Sequence, residues 1–190
     1  MRPHLVIFVK EPRPGRVKTR LGADIGLVPA AWWFRHQSRR LIRTMSRDPR
    51  WQTVIAVAPD RMGLESRIWP RHLPRHPQGS GNLGQRMARA LRVMPPGPAI
   101  IIGADIPGIT PAHVARAFDA LGAHDAVFGP APDGGYWLIG LKRTRAIPPT
   151  LFDRVRWSSE HALADSRATL RDHTIAEVAI LRDVDTAADL

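Results

Sequence analysis

Three short stretches carry residue types that could do chemistry on phosphates. The first, "FVKEPRPGRVKTRL" at 8–21, sets Lys10, Arg13, Arg16, Lys18 and Arg20 around two prolines and Gly15. Proline and glycine stiffen such a turn, so that cationic side chains and free backbone N–H groups can converge on phosphate oxygens. It is not a Walker loop, because Val17 stands where that signature needs a glycine directly before the Lys-Thr pair. The plainer reading is a solvated basic turn, which two of only three lysines in the chain argue against. The second stretch, "GADIPG" at 103–108, presents Asp105 between residues that allow close backbone approach. One such carboxylate, shared with substrate phosphates, suits a hard cation such as Mg²⁺ or Mn²⁺. The competing role for Asp105 is a helix cap, but Thr110-Pro111 supplies a better one further on. The third stretch, "GPAPDGGYW" at 129–137, offers Asp133, Gly134 and Gly135 beside Tyr136 and Trp137. Asp-Gly alone is an ordinary hairpin turn. Here it also brings a carboxylate, mobile amides and two aromatics together, so Asp133 is a second candidate for metal or substrate. Tyr136 and Trp137 alternate in direction, so at most one of them meets a ligand.

Two weaker features complete the set. "QGSGNLGQRM" at 78–87 places Asn82, Gln85 and Arg86 at a glycine-rich helix start, where they could read a base or a sugar; Asn82 serves as well as a helix cap. "RDVDT" at 182–186 contributes Asp183 and Asp185, with helix capping as the competing role. Other chemistries are excluded or disfavoured. There is no cysteine, so thiolate metal sites, disulfides and thiol nucleophiles are absent. None of the eight histidines has metalloprotease spacing, and no Gly-x-Ser-x-Gly elbow occurs.

The elements that must position these residues alternate between strand and helix. Buried-strand runs are expected at 5–9, 51–60, 96–105, 125–129, 135–141 and 174–181. Helices are expected at 29–47, 82–93, 111–122 and near 159–172, with 67–80 irregular or carrying one short strand. This order predicts one α/β domain over 1–190, a three-layer α/β/α sandwich on a mainly parallel sheet. In such sheets ligands sit beyond the carboxyl ends of the strands, where the first three stretches all fall.

The formal charge of +11 by itself admits nucleic acid, an anionic membrane surface or phosphorylated substrates. All but three of the 28 basic residues are arginine, scattered from Arg2 to Arg182 among acidic residues. That scatter is closer to a codon-composition bias than to a nucleic-acid stripe. The apolar run at 5–9 is too short to span a membrane and lacks a cleavage site, so the cytoplasm is the expected location.

The motifs "KEPRPGRVKTRL", "GNLGQRM", "GADIPGIT", "FGPAPDGGYWLIGL", "WSS" and "DVDTAADL" occur in an order that resembles the DUF2064 family, also called radical-SAM/selenodomain-associated transferase 1. The resemblance spans nearly the whole chain and implies the GT-A fold of nucleotide-diphospho-sugar transferases, a superfamily that includes molybdenum-cofactor and 2-phospholactate guanylyltransferases. It implies that Arg16, Lys18 and Arg20 contact donor phosphates, that Asp105 holds the divalent ion, and that Asp133, Gly134 and Gly135 line the acceptor side. Two departures stand out: Asn82 and Gln85 replace residues usually acidic in the family, and "GADIPG" replaces "GTDCPG".

The combined expectation is a Mg²⁺- or Mn²⁺-dependent nucleotidyl- or glycosyltransferase. Its donor is a nucleoside triphosphate or a nucleotide sugar, and its acceptor an unidentified small molecule. Lys18, Asp105 and Asp133 carry the chemistry; Lys10, Gly15, Arg16, Arg20, Asn82, Arg86, Gly134, Gly135 and Tyr136 bind substrates. Asp105 and Asp133 are the expected metal ligands, with Asp185 the alternative second ligand. The competing reading is a non-catalytic nucleotide- or nucleic-acid-binding protein.

Overall fold

The computed structural model describes residues 2–190. Seven strands form one sheet: β1 (His4–Lys10), β2 (Gln52–Ala58), β3 (Arg75–Pro77), β4 (Ala99–Gly103), β5 (Ala126–Pro130), β6 (Tyr136–Leu141) and β7 (Ile175–Glu177). Their order is β3-β2-β1-β4-β6-β5-β7, and only β6 runs antiparallel to its neighbours. The continuous apolar runs explain the central position of β1 and β4. Leu5, Ile7, Ile100 and Ile102 face one side of the sheet, Val6 and Ile101 the other, and all are essentially inaccessible.

Helices cover both faces. On one side α2 (Leu27–Ser46) and α5 (Pro111–Ala123) pack Phe34, Leu41, Ile42, Met45, Val114, Ala117 and Leu121 against the sheet. On the other, α4 (Leu83–Val93) contributes Met87, Ala88 and Leu91, and α6 (Ala162–Ala168) contributes Ala162. Thr110 and Pro111 start α5 as expected, the hydroxyl accepting from His113 N at 3.4 Å. Two short helices, α1 (Thr19–Ile25) and α3 (Asp60–Glu65), complete the set, and a 3₁₀ turn at Ala187–Asp189 ends the chain.

The three-layer sandwich on a mainly parallel sheet is thus as the alternation predicts. The expected helix near 159–172 is shorter, because the chain turns at Ser166–His173 to feed the edge strand. The strand expected over 174–181 is regular only at Ile175–Glu177, although Val178 N still donates to the Phe128 carbonyl at 2.9 Å and Leu181 N to the Pro130 carbonyl at 3.2 Å. Helix α1 was not foreseen, since seven residues directly after a proline-rich loop give too little periodicity to read.

From β1 the chain proceeds to β2 and β3 on one side and to β4 on the other, so the topological switch point lies between the carboxyl ends of β1 and β4. Lys10 ends β1 there, and Asp105 follows β4. A second constraint sits across the sheet at Gly84. A β-carbon on it would approach Phe152 Cβ and Trp157 Cζ2 at 2.7 Å and the Phe152 carbonyl oxygen at 3.2 Å. Alanine in a helix interior ordinarily gains up to about 1 kcal/mol over glycine. At Gly84 overpacking should outweigh that gain. Gly84→Ala is expected to destabilise by about 1–3 kcal/mol in urea denaturation.

Candidate functional site

Lys18 is the residue on which the site closes. It stands at the N-terminus of α1 in the left-handed region (φ 46°, ψ 50°), a conformation uncommon for a residue with a side chain. That backbone turns the side chain inward until only 7% of it is exposed. The ammonium Nζ lies 2.7 Å from Asp105 Oδ2, 2.9 Å from Asp185 Oδ1 and 3.5 Å from Asp183 Oδ2. Arg20 supports the cluster from solvent, its Nη1 donating to Asp185 Oδ2 at 3.1 Å. The loop after β1, the tip of β4 and the C-terminal segment therefore meet at one cation.

Electrostatics follow from this crowding. Burial alone would lower the Lys18 pKa, but the charges and hydrogen bonds of Asp105 and Asp185 outweigh it and the net shift is upward, so the group stays charged. Asp183 is pushed up, first by burial and then by the nearby charges of Asp105, Asp185 and Asp133, against the pull of Lys18. For Asp185 burial acts upward too, yet the Lys18 hydrogen bond and the Lys18 and Arg20 charges bring it down on balance. One ammonium among three carboxylates, with Arg20 at the rim, leaves an excess of negative charge.

That excess is the test of whether a divalent cation fits. The carboxylates are hard oxygen donors, and Asp183 is held in conditions that disfavour its ionised form, a penalty a further cation would relieve. Among the described residues no three His, Cys, Asp or Glu side chains form a ready cage. The set thus suits an ion of the Mg²⁺ class that takes only one or two protein carboxylates and completes its shell with phosphates and water.

Two adjoining cavities open here. The larger, about 830 Å³, is walled by the cations Lys10, Arg16, Lys18, Arg20 and Arg86 and by the carboxylates Asp105, Asp133, Glu160 and Asp185. The smaller, about 520 Å³, shares Lys10, Asp105, Asp133 and Trp157 with it and extends over Met87 and Tyr136. Of the residues expected from sequence, Lys10, Arg16, Lys18, Arg20, Arg86, Asp105, Asp133, Gly135 and Tyr136 line one or both. Gly15, Asn82 and Gly134 do not wall either cavity. Asn82 Oδ1 accepts from Gln85 N at 2.9 Å while Gln85 Oε1 accepts from Asn82 N at 3.0 Å, a closed capping box on α4. The two positions at which carboxylates are replaced are therefore occupied by a helix cap. Gly134 has φ 82°, and any β-carbon on it would collide with the Glu160 backbone, so glycine is required for packing.

Asp133 begins a tight turn between β5 and β6, its Oδ1 accepting from Gly135 N at 3.0 Å, and it remains exposed beside the cavities. Tyr136 and Trp137 alternate as expected. Trp137 Nε1 donates to the Ala179 carbonyl at 2.9 Å in one layer, while the Tyr136 hydroxyl meets Ser166 Oγ at 3.1 Å in the other. Burial holds the Tyr136 hydroxyl far above its ordinary pKa, so it stays protonated. Gln78 was not foreseen. It is buried, with Nε2 donating to the Val9 and Ala56 carbonyls at 3.0 and 2.9 Å and Oε1 accepting from Arg86 Nη1 at 3.0 Å. It thereby pins the ends of β1 and β2 and aims Arg86. Only its place before the glycine-rich loop marked it in sequence.

Helix capping near the C-terminus falls to Thr186 and Asp189 rather than to Asp183 or Asp185. Asp189 Oδ2 accepts from Asp185 N at 3.1 Å, Thr186 N at 2.9 Å and Thr186 Oγ1 at 2.9 Å, and Ala187 N donates to Asp24 Oδ2 at 2.9 Å. Val184, buried with Leu21 and Ala30, anchors the same segment.

Residues 41–159 match the family described as "Uncharacterized protein conserved in bacteria (DUF2064)". A crystal structure of a candidate nucleotide-diphospho-sugar transferase from Desulfovibrio desulfuricans G20 is similar, with TM-score 0.87, 29% identity, and coverage of 97% of this chain and 83% of that one. Rv0371c from Mycobacterium tuberculosis H37Rv, solved in complex with manganese, shares the fold at TM-score 0.59 and 16% identity, covering 100% of this chain and 95% of its own. CMP:2-keto-3-deoxy-manno-octonic acid synthetase complexed with CTP does so at TM-score 0.59 and 12% identity, covering 99% and 95%. No curated protein matches the sequence.

The backbone bonds to Asp189 bring its pKa down to about 2 from an ordinary 3.8. A depressed carboxylate contributes fully above the unfolded value and loses its contribution as pH falls through the folded one. Amides of Asp185 and Thr186 should therefore stay protected from hydrogen exchange at neutral pH and lose protection only as pH approaches about 2. In Asp189→Ala, which has no acceptor, they should exchange quickly already at neutral pH.

Proposed function

The chain belongs to the DUF2064 family, and on that premise we propose that it is a divalent-metal-dependent transferase acting on a nucleotide donor, a nucleoside triphosphate or a nucleotide sugar. The observation that carries this reading is the meeting of Lys18 and Asp105 at the switch point, inside a cavity also walled by Lys10, Arg16, Arg20 and Arg86. A cavity of this size at the carboxyl ends of β1 and β4, with five cationic side chains in its walls, suits the phosphates of a nucleotide. The manganese and CTP bound by Rv0371c and by the synthetase are properties of those proteins, and they are consistent with the reading.

Each residue has a physical task. Arg16, Arg20 and Arg86 bind donor phosphates through charge-assisted hydrogen bonds, and Gln78 fixes the direction of Arg86. Lys18, held charged by its neighbours, sets a positive charge where the departing phosphate gains negative charge. Asp105 holds Mg²⁺ or Mn²⁺ jointly with the donor phosphates, and Asp183 and Asp185 lie beside it around Lys18. When bound, that ion supplies further neutralisation of the leaving group. Asp133, on the wall common to both cavities, faces the acceptor. Holding donor and acceptor in line supplies much of the rate, since this class of transfer needs little covalent help from the protein.

Thermal denaturation with a panel of nucleoside triphosphates and nucleotide sugars, each with Mg²⁺ and with EDTA, tests the reading. One ligand should raise the melting temperature in Mg²⁺ only, and Asp105→Asn should abolish that shift and lower turnover roughly 100-fold while leaving the unliganded protein folded. Nucleic-acid affinity that falls steeply with salt and ignores metal would identify a binding protein in its place.

A further inference from the structure

The smaller cavity differs chemically from its neighbour in a way that the composition makes conspicuous. The chain carries 28 Lys and Arg against 17 Asp and Glu, yet no arginine lines this chamber. Its one cation, Lys10, lies on the wall shared with the phosphate-binding cavity. Four carboxylates line it: Asp105, Asp133 and Asp185 on the wall shared with the larger cavity, where five cationic side chains face them, and Asp183 in this chamber alone. The walls that belong to this chamber alone are otherwise apolar or aromatic, with Met87, Ile101, Tyr136 and Ala162 among them, and Trp157 closes the side shared with the donor.

We infer that this chamber is the acceptor site and that it takes a largely apolar acceptor, uncharged or positively charged, bearing a hydroxyl or amine nucleophile. The assignment rests on the reading of the larger cavity as the donor site. Three features of the chamber support it. A phosphate or carboxylate on the acceptor would have to sit among several carboxylates with no arginine to pair it, and like charges at close range in a partly buried site repel strongly. An amine or a neutral hydroxyl meets no such penalty and finds carboxylate acceptors for its hydrogen bonds. The apolar body of the ligand gains from contact with Met87, Tyr136 and Trp157, whose rings are held in place. Tyr136 lies edge-on to Phe128 at 5.1 Å and to Trp157 at 6.4 Å, with its hydroxyl tied to Ser166. Trp157 is wedged by Phe152 at 6.0 Å and by the bare Gly84. Preformed aromatic walls with a few polar groups at one end are the usual make-up of a small-molecule site. The two cavities thus sort their ligands by charge, anionic donor to the arginine side and neutral or cationic acceptor to the carboxylate side.

Three probes with one body and different heads test this: 2-phenylethylamine, 2-phenylethanol and 2-phenylethyl phosphate, each titrated into the ¹⁵N-labelled full chain in Mg²⁺ and followed by amide and indole chemical shifts. The amine and the alcohol should shift Met87, Tyr136 and the Trp157 indole and bind there about tenfold or more tightly than the phosphate. The phosphate should perturb the Arg16–Arg20 loop instead. Met87→Lys should invert the order by giving the phosphate a partner inside the chamber; if that variant does not fold, the wild-type series decides alone. Phosphate binding at Tyr136 and Trp157 as tight as the amine's, or no shifts there with any probe, overturns the inference. A protein that sorts the probes this way yet binds no nucleotide would keep the chamber and discard the donor reading. One that binds nucleotide yet prefers the phosphate in the chamber would do the reverse.

Discussion

A single buried ammonium ties this molecule's site together. Lys18 reaches Asp105 at the tip of β4 and Asp183 and Asp185 in the C-terminal segment, and no two of those pieces are adjacent in sequence. Removing the Lys18 ammonium would leave three crowded carboxylates without their shared cation, so the arrangement depends on it. The left-handed backbone at Lys18, the anchoring of Val184 beside Leu21, and the bonds to Asp189 that hold Asp185 all serve its geometry. The sheet order supplies the stage. Because the topology reverses between β1 and β4, their carboxyl ends leave a crevice into which the loop after β1 must fold.

Part of the remaining cationic surface is structural. Arg75 donates to the carbonyls of Gly63, Leu64, Ser66 and Trp69, and Arg143 to those of Met94, Pro95 and Gly97. Arg89 holds the carbonyls of Gln78 and Ser80, and Arg92 that of Pro148. Loops rich in proline have carbonyls without the matching N–H donors, and the five-donor guanidinium satisfies several at once. These four arginines are therefore engaged on loop carbonyls, which accounts for part of a scatter that no nucleic-acid stripe would produce.

The fold was legible because its signals are local. The apolar runs of β1 and β4, the Thr110-Pro111 start and the periodicity of α4 and α5 each state their element within a few residues. Asp105 and the lysines of the first loop were legible for a related reason: ligands gather at strand ends, so a strand prediction also predicts a site. What was hidden is tertiary. Nothing in "VKTR" says that Lys18 turns inward, and nothing in "RDVDT" says that its aspartates travel across the molecule to meet it. Gln78 pins two strands from a loop that reads as irregular, and Asn82 resolves into the cap that its residue type always allowed. The acidic residues at 183 and 185 gain meaning only once the C-terminal segment is laid over α1.

A divalent cation and a nucleotide that meet at the Lys18 cluster would be seen by paramagnetic broadening with Mn²⁺ in the ¹⁵N spectrum of the full chain, recorded with and without the nucleotide that stabilises it. Loss of signal should be confined to the amides around Lys18, Gly103–Ile106 and Asp183–Asp185, strengthened by the nucleotide and abolished in Asp105→Asn. Broadening centred elsewhere, or broadening at this cluster that neither the nucleotide nor Asp105 affects, would contradict that meeting.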